Sequence, residues 1–141
     1  MSKECALILG VSSGIGEACA RELAKNGVDI IGLYMRKSKD TINSLADDIC
    51  SHGVKAHMIK MNACNYEKMN EFLMGDIFSN YKIQVLVHSL AFGSMKPFIA
   101  DNSSDAINKK NIEMTLDVMS NSLIYWVQSA YNKNLFKKGS Q

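Results

Sequence analysis

The sequence predicts a single α/β domain in which a parallel β-sheet is covered by helices on both faces. Short, continuous apolar runs of strand length alternate with segments whose apolar residues recur at helical spacing. Glycines or polar turns separate each run from the helical segment beside it. With 141 residues, 47% of them apolar, and one proline, the chain has the length and composition of one globular domain.

The apolar runs predict four strands. The third run alternates apolar and polar residues, so we expect it at an edge of the sheet, whereas the others are apolar enough to be buried on both faces. The predicted strands cover residues 5–10, 28–35, 54–63 and 83–91.

Four helices are expected between and after these strands, at residues 15–26, 39–53, 65–81 and 108–132. The first has a predicted apolar stripe on Ile15, Ala18, Cys19 and Leu23, and Gly27 supplies its cap. Strands and helices in alternation form a doubly wound parallel sheet, in which ligands bind outside the carboxyl ends of the strands.

Charge and apolar pattern exclude several kinds of partner. The formal net charge is +2 with scattered basic residues, so no nucleic-acid partner is predicted. No run approaches the ~18 apolar residues of a membrane span, and the N-terminal run is too short for a secretion signal, so a cytoplasmic location is expected.

The histidines lack ligand spacing, so no metal site is predicted. Buried free thiols are expected at Cys5, Cys19, Cys50 and Cys64.

The segment LGVSSGIG follows the first strand directly and opens the first helix. Glycine is needed where the backbone approaches a phosphate closely, and a helix N-terminus offers free N–H groups and partial positive charge. Gly10 suits the tight turn, Gly14 the approach of phosphates, and Gly16 the packing of the helix on the strand. Ser12 and Ser13 add hydroxyl donors. A pyrophosphate-binding loop is therefore expected, and a glycine-rich turn without a ligand is the alternative.

The spacing of these glycines, G-x3-G-x-G, differs from the commoner G-x-G-x-x-G fingerprint, and no lysine follows as in a P-loop. It resembles the motif of the short-chain dehydrogenase/reductase family, and the resemblance covers nearly all of the chain. The resemblance implies a Rossmann-type doubly wound sheet and a nicotinamide dinucleotide cofactor. It places at that cofactor Gly10, Ser12, Ser13, Gly14, Ile15 and Gly16.

Two further segments agree with the family pattern. Where family members set an aspartate and a small apolar residue against the adenine, this chain has Asn62 and Ala63. Where they read N-N-A-G beside the ribose, it reads HSLAFG, so the resemblance places His88, Ser89 and Ala91 at the cofactor. HSLAF is similar to the form in enoyl-acyl-carrier-protein reductases, and the ordinary glycine loop is similar to that of their NADPH-dependent subgroup. For His88, a polar strand end is the alternative.

The fourth helix carries two expectations that come from the resemblance. Asn121 matches the family's mid-helix asparagine, which implies a part in a proton relay; a polar group satisfied within the helix is the alternative. The family also implies a homo-oligomer, a dimer or tetramer, with this helix at the interface. Tyr125 and Trp126 suit such a contact, and a place in the core is the alternative.

The end of the second strand predicts which dinucleotide is bound. Selection of NAD needs an acidic side chain about 20 residues after the glycines, for the ribose hydroxyls. Here the strand is followed by Arg36 and Lys37, with no acid before Asp40. A guanidinium pairs with a 2′-phosphate through two charge-assisted hydrogen bonds, whereas a carboxylate would repel it. NADPH is therefore expected, and a pair of solvated loop charges is the alternative.

The family's proton donor, a tyrosine followed four residues later by a lysine, is not present in this sequence. Tyr131 and Lys138 have the longer spacing of the enoyl branch, but they are expected on either side of a helix end. Residues 1–141 are therefore expected to be the N-terminal half of a dinucleotide-binding domain, without the catalytic half and inactive alone. The fourth strand would then be an open, apolar edge.

An NADPH-dependent oxidoreductase that acts on an acyl thioester or carbonyl substrate is thus expected for the parent protein. HSLAF favours enoyl-acyl-carrier-protein reduction in fatty-acid biosynthesis. Reduction of 3-ketoacyl-acyl-carrier-protein or of another carbonyl is the alternative. A non-catalytic dinucleotide-binding module, or an inactive fragment, is a further alternative.

Overall fold

The sheet contains four parallel strands in the order β3-β2-β1-β4. A computed structural model describes residues 2–141 of the chain. The strands are β1 (Lys3–Leu9), β2 (Asp29–Tyr34), β3 (Ala56–Lys60) and β4 (Tyr81–His88). The predicted α/β class, the parallel sheet and the edge position of β3 are confirmed.

In residues 2–141, six α-helices and one π-helical segment accompany the sheet. The helices are α1 (Gly14–Lys25), α2 (Lys39–Cys50), α3 (Tyr66–Leu73), α4 (Ile77–Asn80), α5 (Lys109–Leu116) and α6 (Ser122–Asn132). The π-helical segment Asp117–Asn121 joins α5 to α6 without a break. Within residues 2–141, no helix is both long enough and apolar enough to cross a membrane.

Polar side chains cap the start of three of these helices, with Asn108 at the start of α5, and a glycine ends one helix early. Ser38 accepts a hydrogen bond from the Thr41 backbone N–H at 3.3 Å, which caps α2, and Asn65 caps α3 in the same way. The helix predicted over residues 65–81 is wrong as one element. It is interrupted after α3, where the Gly75 N–H turns back to the Phe72 carbonyl at 3.0 Å, consistent with the low helix propensity of glycine.

Helices cover both faces of the sheet. Because successive residues of β1 point to opposite sides, neighbouring residues of this strand belong to different apolar cores. Leu7 and Leu9 pack with buried residues of α3 and α6 on one face. Ala6 and Ile8 pack with buried residues of α1 and α2 on the other. Trp126 of α6 is fully buried and donates from Nε1 to the Ala63 carbonyl at 2.8 Å, so its place is the core and not an interface.

The apolar stripe predicted for α1 is wrong by one position. Ile15 is 74% exposed, and Ala18 is exposed as well, whereas the buried residues are Gly16, Ala20 and Ala24. All three are small. The helix therefore approaches the sheet closely along a line of small side chains. This close packing, and not the burial of the larger apolar residues, determines which side of the helix faces the sheet.

A hydrogen-bonded cluster joins three strands at their amino ends. The Tyr81 hydroxyl donates to Asp29 Oδ2 at 2.8 Å and lies 3.3 Å from His57 Nε2, while Asp29 Oδ1 accepts from the Lys55 N–H at 2.8 Å. Burial, and then the Asp29 carboxylate, raise the pKa of the Tyr81 hydroxyl well above its ordinary value. Burial, followed by the same carboxylate, raises the pKa of the Cys5 thiol to about 12.

The four cysteines are free, but they are not all buried as predicted. Cys5 is buried in β1, and Cys19 and Cys64 are half-buried. Cys50 is exposed at the end of α2, because its neighbour Ile49 takes the inward-facing position. The expectation of a buried thiol is therefore wrong for Cys50.

The last residues of the chain lie along the outer edge of β4. Phe136 forms a parallel bridge with Ile83, whose N–H donates to the Leu135 carbonyl at 2.8 Å. Further along, the Leu86 N–H donates to the Gln141 carbonyl at 2.9 Å. From Ile83 to Leu86, β4 thus has partners on both sides, so the open edge expected from the sequence is partly covered.

Candidate functional site

A cleft of about 550 Å³ opens at the carboxyl ends of the strands. β1 lies between β2 and β4, so the chain leaves it on one side and later returns on the other, which is the position where doubly wound sheets bind ligands. Nine of the predicted site residues line this cleft: Gly10, Ser12, Ser13, Arg36, Lys37, Asn62, Ala63, Ser89 and Ala91.

Gly10 and Gly16 bring three backbone segments into contact beside the cleft. The N–H groups of Gly10 and Val11 both donate to the Leu33 carbonyl at 3.0 Å, which fastens the loop to the end of β2. A Cβ at Gly10 would lie under 3.0 Å from the Ser89 carbonyl oxygen, and one at Gly16 under 3.0 Å from the Gly10 carbonyl oxygen. Side chains at these two positions would therefore force the loop, α1 and β4 apart.

Gly14 has a different environment. Its φ is +57°, and a Cβ added there would meet no atom within 4 Å. The Ser13 side chain makes no capping hydrogen bond to α1, although Ser13 precedes the helix. The first turn of α1 therefore presents backbone N–H groups and a serine hydroxyl to open space, an arrangement that binds anions. Ile15, in the same turn, points into solvent.

Arg36 and Lys37 extend from the end of β2 at the mouth of the cleft, and both are exposed. Within residues 2–141, the Arg36 guanidinium has no ion pair and no hydrogen bond. Its nearest aromatic partner is Phe92, with Cζ 4.6 Å from the ring centroid. The mouth of the cleft therefore carries positive charge that no carboxylate of the described residues neutralises.

Asn62 and Ala63 follow β3 and form the far wall. Asn62 Oδ1 accepts from the Cys64 N–H at 2.9 Å, so the side-chain oxygen is engaged and the amide NH₂ remains as a donor. Ala63 is buried, and its carbonyl accepts from Trp126. The sequence prediction placed these residues on this wall but gave no indication that Trp126 fixes it.

His88 ends β4 with its ring directed toward the helix that follows. Its Nε2 lies 2.7 Å from the Ser122 hydroxyl, which donates to the Val118 carbonyl at 2.8 Å. Because that hydroxyl proton is used, Nε2–H is assigned as the donor from the hydrogen-bond network. Burial lowers the pKa of His88, which favours the neutral ring. Its side chain therefore links β4 to the first residue of α6. Ser122 is a residue that the sequence prediction missed.

Asn121 is not brought together with the cleft residues. It closes the π-helical segment and borders a separate surface hollow with Lys110, Glu113 and Asp117. Val118 and Met114, which precede it, face the cleft instead.

The residues Tyr131 and Lys138 lie in different elements, as predicted. Tyr131 is in the last turn of α6 and 74% exposed, and α6 ends at Asn132. Lys138 follows in the segment beside β4. A lysine that lowers the pKa of a tyrosine must be held close to it, and this pair does not share a helix.

Known proteins share both the sequence pattern and the fold. The family model for short chain dehydrogenases matches residues 4–141. An NADPH-dependent pterin aldehyde reductase of Arabidopsis thaliana is 30% identical over 105 residues, 74% of this chain and 36% of that protein. A 3-oxoacyl-[acyl-carrier-protein] reductase of Aquifex aeolicus is 28% identical over 131 residues, 90% of this chain and 52% of the relative.

Solved structures agree in fold at lower identity. A short-chain dehydrogenase/reductase from Serratia marcescens superimposes with a TM-score of 0.78 at 19% identity, over 99% of this chain and 53% of that one. A 3-oxoacyl-[acyl carrier protein] reductase from Brucella melitensis, in complex with NAD, gives 0.76 at 18% identity, over 96% and 50%. The chain thus spans about half or less of the length of these proteins. On the strength of the family match, the chain belongs to the short-chain dehydrogenase/reductase family.

Proposed function

We propose that this chain is the NADPH-binding, N-terminal half of a short-chain reductase. The observation that carries the proposal is the cleft itself. An open glycine loop at a helix N-terminus and an arginine without a carboxylate partner lie on one cavity at the carboxyl ends of the strands. The chain spans about half of the length of these relatives. This coverage supports a catalytic half outside residues 1–141.

The glycine loop fits the pyrophosphate of the dinucleotide. The space beside Gly14 admits phosphate oxygens to the first turn of α1, where the backbone N–H groups and helix dipole attract negative charge. Ser12 and Ser13 supply hydroxyl donors from the same loop. Gly10 and Gly16 act indirectly, by keeping the loop close to the strands. Ile15, whose side chain is in solvent, would contribute only its backbone N–H in the first turn of α1.

Arg36 and Lys37 fit a 2′-phosphate. The guanidinium offers paired N–H donors, and Lys37 adds a second positive charge beside it. Asn62 and Ala63 would flank the adenine, and Ser89 and Ala91 the ribose. His88 would serve this wall by holding the end of β4 in place, because its ring is bonded to Ser122.

For the substrate, we propose an acyl thioester of fatty-acid biosynthesis. NADPH, when bound, supplies a hydride for the reduction. The HSLAF segment supports enoyl-acyl-carrier-protein reduction, while the 3-oxoacyl-[acyl-carrier-protein] reductase of Aquifex aeolicus, similar over 90% of this chain, favours ketoacyl reduction as the second candidate. The proton would come from a tyrosine and lysine outside residues 1–141. Asn121 would join the relay only if that half reaches the separate hollow that Asn121 borders. A non-catalytic binding module remains the third candidate.

We further propose a dimer or tetramer assembled through α6. Several large apolar side chains on this helix are exposed, which is typical of an interaction surface. They are Leu123, Ile124, Tyr125, Val127 and Tyr131.

Nucleotide titration of wild type and Arg36→Ala tests the cofactor. We expect the wild type to prefer NADPH, and the variant to lose about ten- to a hundredfold in NADPH affinity with NADH affinity unchanged, since only NADPH has the 2′-phosphate. Arg21→Ala is the matched control, because Arg21 is paired with Glu17 and Asp48 away from the cleft. Equal losses for both nucleotides, or no preference in the wild type, would contradict the NADPH assignment.

NADPH oxidation by the full-length protein with crotonyl and acetoacetyl thioesters tests the substrate. Turnover of crotonyl thioester is expected for an enoyl reductase, and turnover of acetoacetyl thioester for the second candidate. Tight NADPH binding without turnover of either would favour the binding module. Activity from residues 1–141 alone would contradict the proposed division into halves.

A further inference from the structure

We propose that Phe92 is a specificity-determining residue of the cleft, because its ring holds the Arg36 guanidinium in the position from which it binds a 2′-phosphate. The inference rests on the proposed function, and it concerns a residue whose position only the fold reveals. Phe92 and Arg36 are 56 positions apart in the sequence and follow different strands, β4 and β2, yet both line the mouth of the cleft.

The contact has the geometry of a cation–π interaction. Arg36 Cζ lies 4.6 Å from the centre of the Phe92 ring, inside the ~6 Å limit for such pairs. Phe92 is 46% exposed, so the ring is partly covered and still accessible from the cleft mouth. The Phe92 ring therefore does more than form part of the wall of the cleft. It restricts the positions that the Arg36 guanidinium can take.

The contact with Phe92 uses none of the hydrogen-bonding capacity of Arg36 toward oxygen acceptors. A guanidinium is planar and its five N–H donors lie in the plane, whereas a stacked ring occupies a face. Arg21 shows the contrast: its guanidinium is bonded to Glu17 and Asp48, so its donors are already used. In the described part of the chain, Arg36 has no such carboxylate partner and makes no hydrogen bond, so its donors remain available to a ligand in the cleft.

The backbone that carries Phe92 is fixed by its neighbours. A Cβ at Gly93 would lie under 3.0 Å from Thr115 Cγ2, so the chain here is pressed against α5. The Thr115 hydroxyl accepts from the Ser94 N–H at 3.0 Å and donates to the Asn111 carbonyl at 2.8 Å. The backbone next to Phe92 is therefore held against α5, although a long exposed loop follows it.

Holding Arg36 in advance benefits one nucleotide and not the other. A free arginine loses side-chain entropy when a phosphate immobilises it, and a side chain already confined by a stack loses less. NADH has no 2′-phosphate, so it gains nothing from the arrangement. Phe92 should therefore affect the ratio of NADPH to NADH affinity and leave NADH affinity itself unchanged.

Three variants of the full-length protein separate this role from simple packing. Phe92→Leu keeps an apolar side chain but removes the π face, and Phe92→Tyr keeps the face. Phe98→Leu is the matched control, because Phe98 belongs to the same loop, is 84% exposed and does not line the cleft. Kd values for NADPH and NADH are measured for each variant, and the proton resonances of the Arg36 side chain are followed by NMR without nucleotide.

We expect Phe92→Leu to weaken NADPH binding about two- to fivefold with NADH binding unchanged, and Phe92→Tyr and Phe98→Leu to match wild type. The Arg36 protons should be shifted upfield by the ring in wild type, and this shift should vanish in Phe92→Leu. Equal weakening for both nucleotides, or no upfield shift in wild type, would overturn this inference while the proposed function stood. A wild type that binds neither nucleotide would overturn the proposed function as well.

Discussion

At the amino ends of the strands polar side chains are bonded to one another, whereas at the carboxyl ends several of them are left free. Asp29 accepts hydrogen bonds on both oxygens, from Tyr81 and from the Lys55 N–H. Ser13 and Arg36, at the other end, use no side-chain donor within residues 2–141. Satisfied polar groups stabilise a fold, and exposed unpaired ones cost little until a ligand uses them. One sheet therefore has an end that contributes to stability and an end open to a ligand.

The largest expected effect comes from closing the space between the loop and α1. Gly16→Ala places a Cβ against the Gly10 carbonyl oxygen, so the free energy of unfolding should fall by about 3 kcal/mol or more. This exceeds the roughly 1 kcal/mol that alanine gains over glycine within a helix. Thermal or urea unfolding measures the change.

Gly14→Ala is the matched comparison, because the added Cβ meets no atom. Its positive φ should cost only about 1–2 kcal/mol of stability, while NADPH affinity should fall as the open space is filled. If Gly16→Ala were no less stable than Gly14→Ala, the close packing at the loop would be contradicted.

The next effect concerns the amino end. Tyr81→Phe removes the donor to Asp29 and a partner of His57, so stability should fall by about 1–2 kcal/mol while NADPH affinity stays at the wild-type value. Tyr131→Phe is the control, since Tyr131 is 74% exposed and should change stability by less than about 0.5 kcal/mol. A change of NADPH affinity in Tyr81→Phe would show that the two ends are not independent.

The smallest effect is a dependence of stability on pH at the boundary of the cleft. Because burial lowers the pKa of His88 in the fold, the unfolded chain binds the proton first as the pH falls. The contribution of His88 is therefore complete above the ordinary pKa of 6.5 and is lost as the pH falls from there to the lowered value.

Urea midpoints measured from about pH 8 to about pH 5 test this sign. His88→Asn should flatten that part of the profile, whatever its effect on stability at high pH. His52→Asn, at an exposed position, should leave the profile as in wild type. A slope unchanged in His88→Asn would assign the pH dependence to other groups.

The strands could be predicted from the sequence because a strand buried on both faces needs a continuous run of apolar residues, as in β1 and β2. The glycine loop could be predicted because close approach excludes side chains. The rotation of α1 could not: Ile15 is the larger apolar residue, but the contact of Gly16 with the loop decides which side faces the sheet. The apolar pattern places the larger apolar residues toward the sheet. In α1, the close approach of the helix to the glycine loop decides which face is buried.

Within the candidate site, contacts between distant positions were beyond the sequence pattern. His88 was predicted from the resemblance of HSLAFG to the family's N-N-A-G segment, but the direction of its ring depends on Ser122, 34 residues later. Phe92 lies in the same HSLAFG segment, but nothing in the sequence pattern paired it with Arg36. The cluster of Asp29, His57 and Tyr81 left a weak signal, since each lies at or near the start of a strand, where parallel strands bring polar residues together.

The π-helical segment gives the chain one position where its length can change at little cost. A π turn closes hydrogen bonds over five residues instead of four, so Asp117–Asn121 holds one residue more than an α-helix needs. Deleting a residue there would restore a regular helix and keep α5 and α6 on their present faces. Deleting one inside α6 would instead turn everything beyond it by about 100°. A single-residue gap among related sequences is thus expected here, before Trp126, and not after it.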